Sequence, residues 1–286
     1  MDVERICVVG LGLIGGSLAL ALRPFSNYLI VVDTNPQTQD AARKVFDAVT
    51  ADFSQGVRQA DLVVLATPVR TILEHLAALP AARPDGCLVL DVGSTKGAIT
   101  QAMAALPGQF EAIGGHPMCG KETAGFTAAT AELYGDETFI LCRNERTTDR
   151  VENVALDLVL TIGARPLFLP AAVHDGLVAA TCHLPYTVAA ALMHSVAALD
   201  DDRLWLVSAA GFRDTARLAG SDPQMMLDIL LTNRAAVLDQ LDQYQAHLAE
   251  LKNMLLNNDE AALSQWLTAA QRHHAAYRQK NVKRKT

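Results

Sequence analysis

The stretch VVGLGLIGGSLALAL, residues 8–22, decides the fold of this chain. Its glycines Gly10, Gly12 and Gly15 stand in G-x-G-x-x-G order between a strand-like apolar run and a helical run. Gly10 permits a tight turn, Gly12 lets the backbone approach a pyrophosphate, and Gly15 lets the helix pack closely on the strand. The helix N-terminus, with Leu13 and Ile14, would then face the anion. This context predicts dinucleotide binding; a glycine-rich turn without a ligand is the alternative.

The next apolar run ends in an acid, Asp33, which lies near the spacing expected for a ribose-binding carboxylate. A carboxylate at this place accepts hydrogen bonds from the ribose hydroxyls and repels a 2′-phosphate. The following residues, TNP at 34–36, offer no arginine to bind such a phosphate. We therefore expect NAD rather than NADP, the alternative being an ordinary aspartate at a turn.

The rest of the first half alternates short apolar runs with helical patterns. Several runs are apolar at consecutive positions, which is typical of parallel strands covered on both faces. The pattern predicts an α/β Rossmann domain, doubly wound around a mainly parallel sheet. The predicted strands are 5–11, 28–33, 61–68, 87–93, 110–115, 138–142 and 165–170, and the predicted crossover helices are 36–46, 69–79 and 96–105.

The character of the chain changes after Pro170, where no convincing strand follows. Four long segments read as helix: 172–198, 204–218, 223–256 and 259–278. We therefore predict two domains, an NAD-binding domain over 1–170 and an all-α domain over 171–286. Residues 223–256 are too apolar on one face for an exposed helix, which favours a two-fold homodimer through the helical domain.

Composition narrows the class of protein. The chain has 286 residues, half of them hydrophobic, and a net charge of -7, which speaks against nucleic acid as a partner. No apolar run reaches the roughly 18 residues of a membrane span, and the start does not resemble a signal peptide. Five scattered cysteines indicate reduced thiols and a cytoplasmic location. We expect Cys119 to be an apolar turn residue rather than a nucleophile, and we expect no metal site.

Three predicted strand ends carry polar side chains suited to chemistry. They are ATP at 66–68, DVGSTKG at 91–97 and GGHPMCG at 114–120, which place Thr67, Ser94 and His116 around one cleft. An NAD enzyme that oxidises an alcohol needs a base for the hydroxyl proton, and neutral histidine suits that role. The spacing alone leaves open a second interpretation, in which the backbone of the turn satisfies His116.

Several motifs together resemble the prephenate/arogenate dehydrogenases of tyrosine biosynthesis. They are GLGLIGGSLALAL, DVGSTKG, GGHPMCGKETAG, HDGLVAATCHLPY and GFRDTARLAGSDPQMMLDI, in matching order over nearly the whole chain. The resemblance implies a Rossmann domain followed by a helical domain that forms the dimer and contributes to the substrate site. It implies oxidative decarboxylation of a cyclohexadienol, with NAD as the cofactor.

The resemblance also assigns roles to single residues. His116 matches the histidine that polarises the ring C4 hydroxyl, and Ser94 matches a serine near the hydroxyl and the nicotinamide. Arg217 matches the arginine that grips a substrate carboxylate, although a salt bridge to Asp214 is an alternative use for it. The remaining matches are two acids near the pocket entrance, Asp214 and Glu122, and a pocket histidine, His183.

Two positions depart from the pattern of many prephenate-using relatives. Tyr186 stands where those relatives have histidine, and Met226 stands where they have tryptophan, and both positions lie near the substrate side chain in relatives. We expect prephenate as the substrate, with arogenate or both substrates as the alternatives. His174 and His183 are nine residues apart, about half a turn out of phase on an ideal helix, so we do not place them in one pocket.

Two other classes of protein share parts of this pattern. A β-hydroxyacid dehydrogenase would have a similar plan and a similar DVGST loop but uses a lysine of the helical domain. Residues 171–251 contain no lysine, which counts against that class. A non-catalytic NAD-sensing regulator would leave His116, Ser94 and Arg217 without a use.

Overall fold

A single sheet of eight strands organises the first 168 residues of the chain. The computed structural model describes residues 3–46, 48–121 and 123–282. The strands are β1 (Arg5–Val9), β2 (Tyr28–Val32), β3 (Ala48–Thr50), β4 (Leu62–Leu65), β5 (Leu88–Asp91), β6 (Glu111–Pro117), β7 (Thr138–Cys142) and β8 (Arg165–Phe168). Their order is β3-β2-β1-β4-β5-β6-β7-β8, and every pair is parallel except β6 with β7. The first six strands have the Rossmann order, which confirms the predicted fold.

Helices cover both faces of this sheet, as the consecutive apolar runs predict. They are α1 (Leu13–Leu22), α2 (Pro36–Ala42), α3 (Phe53–Val57), α4 (Val69–Ala82), α5 (Gly97–Ala104) and α6 (Asp149–Thr161). Side chains of β1 alternate between two cores: Ile6 and Val8 lie in the core that includes α1 and α6. Cys7 and Val9 lie in the other, which includes α4 and α5. The carboxyl ends of the strands are thereby left as the open edge of the sheet.

The chain after Phe168 contains helices and no strand in the residues that the structure describes. The α-helices are α7 (Ala171–Val178), α8 (Leu184–Ala197), α9 (Arg203–Val207), α10 (Ala210–Ala216), α11 (Pro223–Thr232), α12 (Arg234–Leu256) and α13 (Glu260–Val282). A π-helical turn, Ala179–His183, joins α7 to α8, and a 3₁₀ turn, Arg217–Gly220, follows α10. Two compact units are distinguished, Met1–Arg234 and Ala235–Thr286, the second formed by α12 and α13.

Several elements differ from the prediction in ways that have local causes. The predicted elements do not include β3, which has three residues and no room for a periodic pattern, nor do they include α3 and α6. The predicted helix 204–218 is divided into α9, α10 and the 3₁₀ turn. The predicted helix 223–256 is divided at Asn233, whose backbone lies outside the helical region.

The apolar segment Ala171–Ala197 corrects one expectation. By length and composition alone it is long and apolar enough to cross a membrane, whereas the sequence analysis found no run of that length. The two results differ because the mean hydropathy of a helix can stay high when it contains a few polar side chains, whereas those side chains interrupt a continuous apolar run. Three such side chains, His174, Asp175 and His183, are buried and hydrogen-bonded to other parts of the chain. The segment therefore forms one wall of the site described below.

Candidate active site

The glycine loop between β1 and α1 has the geometry that dinucleotide binding requires. Gly10 has a φ of 96°, in the left-handed region, and a Cβ on Gly15 would lie 1.9 Å from the carbonyl oxygen of Gly10. Side chains are therefore excluded at both positions. A Cβ on Gly12 would meet nothing within 4 Å, so the backbone there is open to a ligand. Helix α1 has no side-chain cap and no acid in its first turn, which leaves its N–H groups available to an anion.

Asp33 lies beside this loop, at the end of β2. One carboxylate oxygen accepts a hydrogen bond from the Leu11 N–H at 2.8 Å, and the other accepts one from the Asn35 N–H at 2.8 Å. The two backbone donors fix the carboxylate against the glycine loop, at the position predicted for ribose recognition. Its remaining lone pairs can accept hydrogen bonds from hydroxyl groups.

Thr67, at the end of β4, provides a test of whether the loop fits a dinucleotide. Its hydroxyl is buried and has no hydrogen-bond partner within the described ranges of the chain. A Cβ on Gly10 would lie 2.9 Å from Thr67 Cγ2, so Thr67 directly adjoins the loop. An unpaired buried hydroxyl is costly unless a ligand or water satisfies it. The orphaned hydroxyl and the open backbone therefore fit a ligand bound here.

His116 is positioned by a change of partner along β6, which pairs with β5 at its start and antiparallel with β7 at its end. At the end of β5, Asp91 Oδ1 accepts a hydrogen bond from the Gly115 N–H at 3.1 Å, and Oδ2 accepts one from the Gly93 N–H at 2.8 Å. The Lys96 ammonium forms an ion pair with the same carboxylate, and both side chains are completely buried. This buried pair fixes the strand end that carries His116.

His116 is the first member of a chain of three hydrogen-bonded side chains. Its Nδ1 lies 2.8 Å from Nε2 of His174, and Nδ1 of His174 lies 2.8 Å from a carboxylate oxygen of Asp175. Asp175 also accepts hydrogen bonds from the backbone N–H groups of Lys96 at 2.7 Å and Gly97 at 2.8 Å. The start of α7 is thereby attached to the loop between β5 and α5.

His183 is held by a different partner, Asn233, which follows α11. The Asn233 Nδ2 lies 2.8 Å from the carbonyl oxygen of Asp175 and 3.2 Å from Nδ1 of His183. The carbonyl oxygen can only accept, so the nitrogen of the Asn233 amide must face it, and the same NH₂ group donates to His183. A neutral His183 therefore carries its proton on Nε2.

Both His116 and His183 are neutral at physiological pH. Burial lowers the pKa of His116 well below its ordinary value of 6.5, and the neighbouring groups His174, Lys96 and His183 act in the same direction. Burial likewise lowers the pKa of His183 to about 4, against the opposing influence of Asp175. A neutral imidazole offers one nitrogen as an acceptor and the other as a donor, which suits proton abstraction and recognition of a polar group.

The structure places His174 and His183 in one cluster, although their spacing on an ideal helix does not place them in one pocket. The expectation assumed an ideal α-helix between the two residues. The π turn at 179–183 has i→i+5 hydrogen bonds, so it adds a residue to one turn and changes the phase of everything after it. As a result both histidines contribute to the electrostatic surroundings of His116.

The other predicted site residues lie in several places. Ser94 is half-buried in the loop between β5 and α5, Tyr186 is half-buried on α8, and Met226 is buried on α11. Asp214 on α10 is exposed. Arg217 is also exposed, on the 3₁₀ turn that packs against α8. Glu122 lies outside the described residues.

The Cys119 thiol is free, and burial raises its pKa to about 12, which is consistent with an apolar turn residue rather than a nucleophile. Within residues 3–46, 48–121 and 123–282, no group of three His, Cys, Asp or Glu side chains is arranged to hold a metal ion.

Asp175 and Asn233 are not among the residues predicted from the sequence, and His174 has no predicted role. One signal was available: the dipeptide His174–Asp175 places an acid in an otherwise apolar helical run, and such an acid needs partners when it is buried. No comparable signal marked Asn233, because a single asparagine at a helix end is ordinary.

Comparisons with known proteins identify the family to which this chain is similar. Residues 18–167 match the family model described as "Prephenate dehydrogenase, nucleotide-binding domain", and residues 170–269 match "Prephenate dehydrogenase, dimerization domain". The chain is 32% identical to a prephenate dehydrogenase of Bacillus subtilis, with 93% of this chain and 74% of that protein covered. It is also 32% identical to a cyclohexadienyl dehydrogenase of Zymomonas mobilis, with 90% of each chain covered.

Solved structures extend the likeness to the whole fold. A prephenate dehydrogenase from Aquifex aeolicus, in complex with hydroxyphenyl propionate and NAD+, has a TM-score of 0.89 and 26% identity, covering 97% of this chain and 99% of that one. A Synechocystis arogenate dehydrogenase has a TM-score of 0.81 and 31% identity, covering 96% of this chain and 100% of that one. From the two family models that together span most of its length, and from these relatives, the chain belongs to the prephenate dehydrogenase family of NAD-dependent oxidoreductases.

Proposed function

We propose that this enzyme converts prephenate to 4-hydroxyphenylpyruvate by NAD-dependent oxidative decarboxylation, a step of tyrosine biosynthesis. The observation that carries the proposal is His116, a neutral imidazole whose Nδ1 is engaged by His174 on the same open sheet edge as the glycine loop. The family membership supports the same reaction. Arogenate, or the use of both substrates, is the alternative.

His116 acts in this proposal as the general base. NAD, when bound along Gly10, Gly12–Gly15, Asp33 and Thr67, supplies the acceptor for the hydride that leaves the ring carbon C4. As that hydride leaves, His116 takes the proton of the C4 hydroxyl, and Ser94 donates a hydrogen bond to the same oxygen. Loss of the ring carboxylate as carbon dioxide returns an electron pair to the ring. His116 then returns the proton to the oxygen, which becomes the phenol hydroxyl of the product.

Arg217 and His183 are the proposed donors to the anionic groups of the substrate. The Arg217 guanidinium remains charged and can hold a carboxylate through two parallel hydrogen bonds. Because Asn233 occupies Nδ1 of His183, the Nε2–H of that ring is left to donate to a second acceptor. Prephenate carries two carboxylates, so it needs both kinds of donor.

The residues that choose between prephenate and arogenate are proposed to be those around the substrate side chain. Tyr186 and Met226 bring no charge that would repel the ammonium of arogenate, and neither is an obvious partner for the keto oxygen of prephenate. Asp214, which is exposed on α10, is proposed to lie near the pocket entrance. Prephenate is proposed as the substrate because the relatives include a prephenate dehydrogenase. The cyclohexadienyl dehydrogenase among them keeps the use of both substrates as the alternative.

The substrate and cofactor are tested together by measuring kcat/KM for prephenate and arogenate, each with NAD and with NADP. We expect the pair of prephenate and NAD to give the highest value, because Asp33 repels a 2′-phosphate. A value for arogenate more than tenfold higher, about 1.4 kcal/mol in transition-state stabilisation, would overturn the substrate and leave the ring chemistry intact. Equal or better use of NADP would overturn the role of Asp33.

We also propose a homodimer formed through the helical domain, in keeping with the dimerization domain matched at 170–269. Two leucines at the end of α12, Leu255 and Leu256, are 58% and 69% exposed, and Val173 and Leu177 on α7 are about half exposed. Within each of the two compact units, such exposed apolar side chains favour burial against a second copy. The predicted boundary near residue 170 and the cytoplasmic location are kept as parts of the same proposal.

Light scattering at micromolar concentration tests the dimer, with an expected mass of twice 30.7 kDa. The double variant Leu255→Asp/Leu256→Asp should lower the measured mass toward that of one chain. As a matched control, Leu160→Asp changes a leucine of α6 that is 56% exposed and should leave the mass unchanged. A monomeric wild-type protein would contradict the proposal.

A further inference from the structure

The side chains of Asp175, His174 and His116 form a line in which the position of every proton can be deduced. Asp175 receives hydrogen bonds from two backbone N–H groups, those of Lys96 and Gly97. Burial alone would raise the pKa of Asp175, but these bonds and the one to His174 hold it below its ordinary value. Asp175 is therefore an ionised carboxylate, which can only accept hydrogen bonds.

The remaining protons follow from that carboxylate. Nδ1 of His174 lies 2.8 Å from Asp175 and must donate, so a neutral His174 has a bare Nε2. That nitrogen lies 2.8 Å from Nδ1 of His116 and must accept, so His116 carries its proton on Nδ1. The lone pair on Nε2 of His116 is then left to accept the proton of a substrate hydroxyl.

We propose that His174 and Asp175 are positioning residues that hold His116 in the Nδ1–H tautomer, with Nε2 as the basic nitrogen. The proposal rests on the role of His116 as base in the proposed function. It goes beyond that role because neither His174 nor Asp175 is expected to contact the substrate. Both residues act through the imidazole of His116, by selecting its tautomer and fixing its ring orientation.

The hydrogen-bonded side chains of Asp175, His174 and His116 also stabilise the positive charge that His116 carries after it takes a proton. When His116 takes a proton it becomes an imidazolium close to the ammonium of Lys96, which opposes the new charge. Lys96 is already paired with Asp91, and the carboxylate of Asp175 lies at the far end of the line. Asp175 therefore compensates the positive charge through its hydrogen bond to His174.

Two substitutions of His174 separate tautomer control from simple packing. His174→Leu fills similar space but cannot accept from His116, and we expect kcat to fall about 10- to 100-fold, as when an outer-shell partner of a histidine is lost. His174→Gln presents a carbonyl oxygen to the same N–H, so we expect it to restore part of the rate. KM for NAD and for the substrate should change little in either variant. His194→Leu, which changes an exposed histidine of α8, is the matched control.

Nitrogen NMR of histidine-labelled protein without substrate reads the tautomer directly. In the wild-type protein at neutral pH we expect Nδ1 of His116 to be protonated and Nε2 to be bare. In folded His174→Leu we expect a mixture of the two tautomers. An Nε2–H tautomer in the wild type, or a folded His174→Leu with unchanged kcat, would overturn the proposal. Because the spectrum needs no turnover, it tests the line of hydrogen bonds even if the assigned substrate is wrong.

Discussion

Replacing His116 with asparagine should lower kcat by about 10²–10⁴-fold, the usual contribution of a general acid–base group. Asparagine keeps a polar side chain on β6 but cannot take the hydroxyl proton. The affinity for NAD should hardly change, because His116 lies on a different strand end from the glycine loop and Asp33. Steady-state kinetics and NAD titration of the same preparation measure both effects. Wild-type kcat in the folded variant would remove His116 from the mechanism.

The pH dependence of kcat gives an independent test of the role of His116 as a base. His116 must be neutral to act as a base, so the rate should fall as the pH decreases through its pKa. Burial and the neighbouring groups lower that pKa well below 6.5, so the decline should begin at a more acidic pH than for an ordinary histidine. His194→Asn, which removes a histidine outside the cluster, should leave the profile unchanged.

Replacing Arg217 with alanine should raise the KM for the substrate by roughly 10²-fold, with little change in NAD binding. Loss of one partner of a hydrogen-bonded charge pair typically costs about 2–5 kcal/mol, and this magnitude lies within that range. Arg217→Lys keeps the charge but loses the planar fork, so we expect an intermediate KM. Arg203→Ala is the control, because Arg203 is an exposed arginine whose partner is Asp201 on the same surface.

Thermal unfolding distinguishes substrate binding from the alternative salt bridge to Asp214. If Arg217 serves mainly in that salt bridge, Arg217→Ala and Asp214→Ala should lower Tm by similar amounts, with a normal KM in the folded fraction. That outcome would contradict the proposed role of Arg217. A large rise in KM at unchanged Tm would support it.

The features of the site that could be predicted from the sequence are those that a short local motif identifies. Gly10, Gly15 and Asp33 lie at turns and strand ends that local patterns identify, and His116 lies at the end of β6 for the same reason. The spacing alone left open what satisfies the imidazole of His116, and the structure shows His174 as its partner, 58 residues further along the chain.

The parts that could not be predicted depend on helix phase and distant contacts. An apolar helical run gives no indication of a π turn, because one extra residue leaves its composition unchanged. The phase change at 179–183 nevertheless decides that His183 joins the cluster. Asn233 reaches His183 across 50 residues, a contact that no spacing within the chain encodes. The proposed roles of Arg217, Tyr186 and Met226 come from motif resemblance alone.

Asp175 accepts hydrogen bonds both with its carboxylate and with its backbone carbonyl oxygen, and this arrangement limits which residues can change without moving the site. Its carboxylate fixes His174 and the loop after β5, while its carbonyl oxygen fixes Asn233 and through it His183. Mutations that adapt the enzyme to a new substrate side chain cannot easily move either histidine, since both are attached to one residue. We therefore expect a change of preference between prephenate and arogenate to come from substitutions outside this network, with the proposed side-chain positions 186 and 226 as the first candidates.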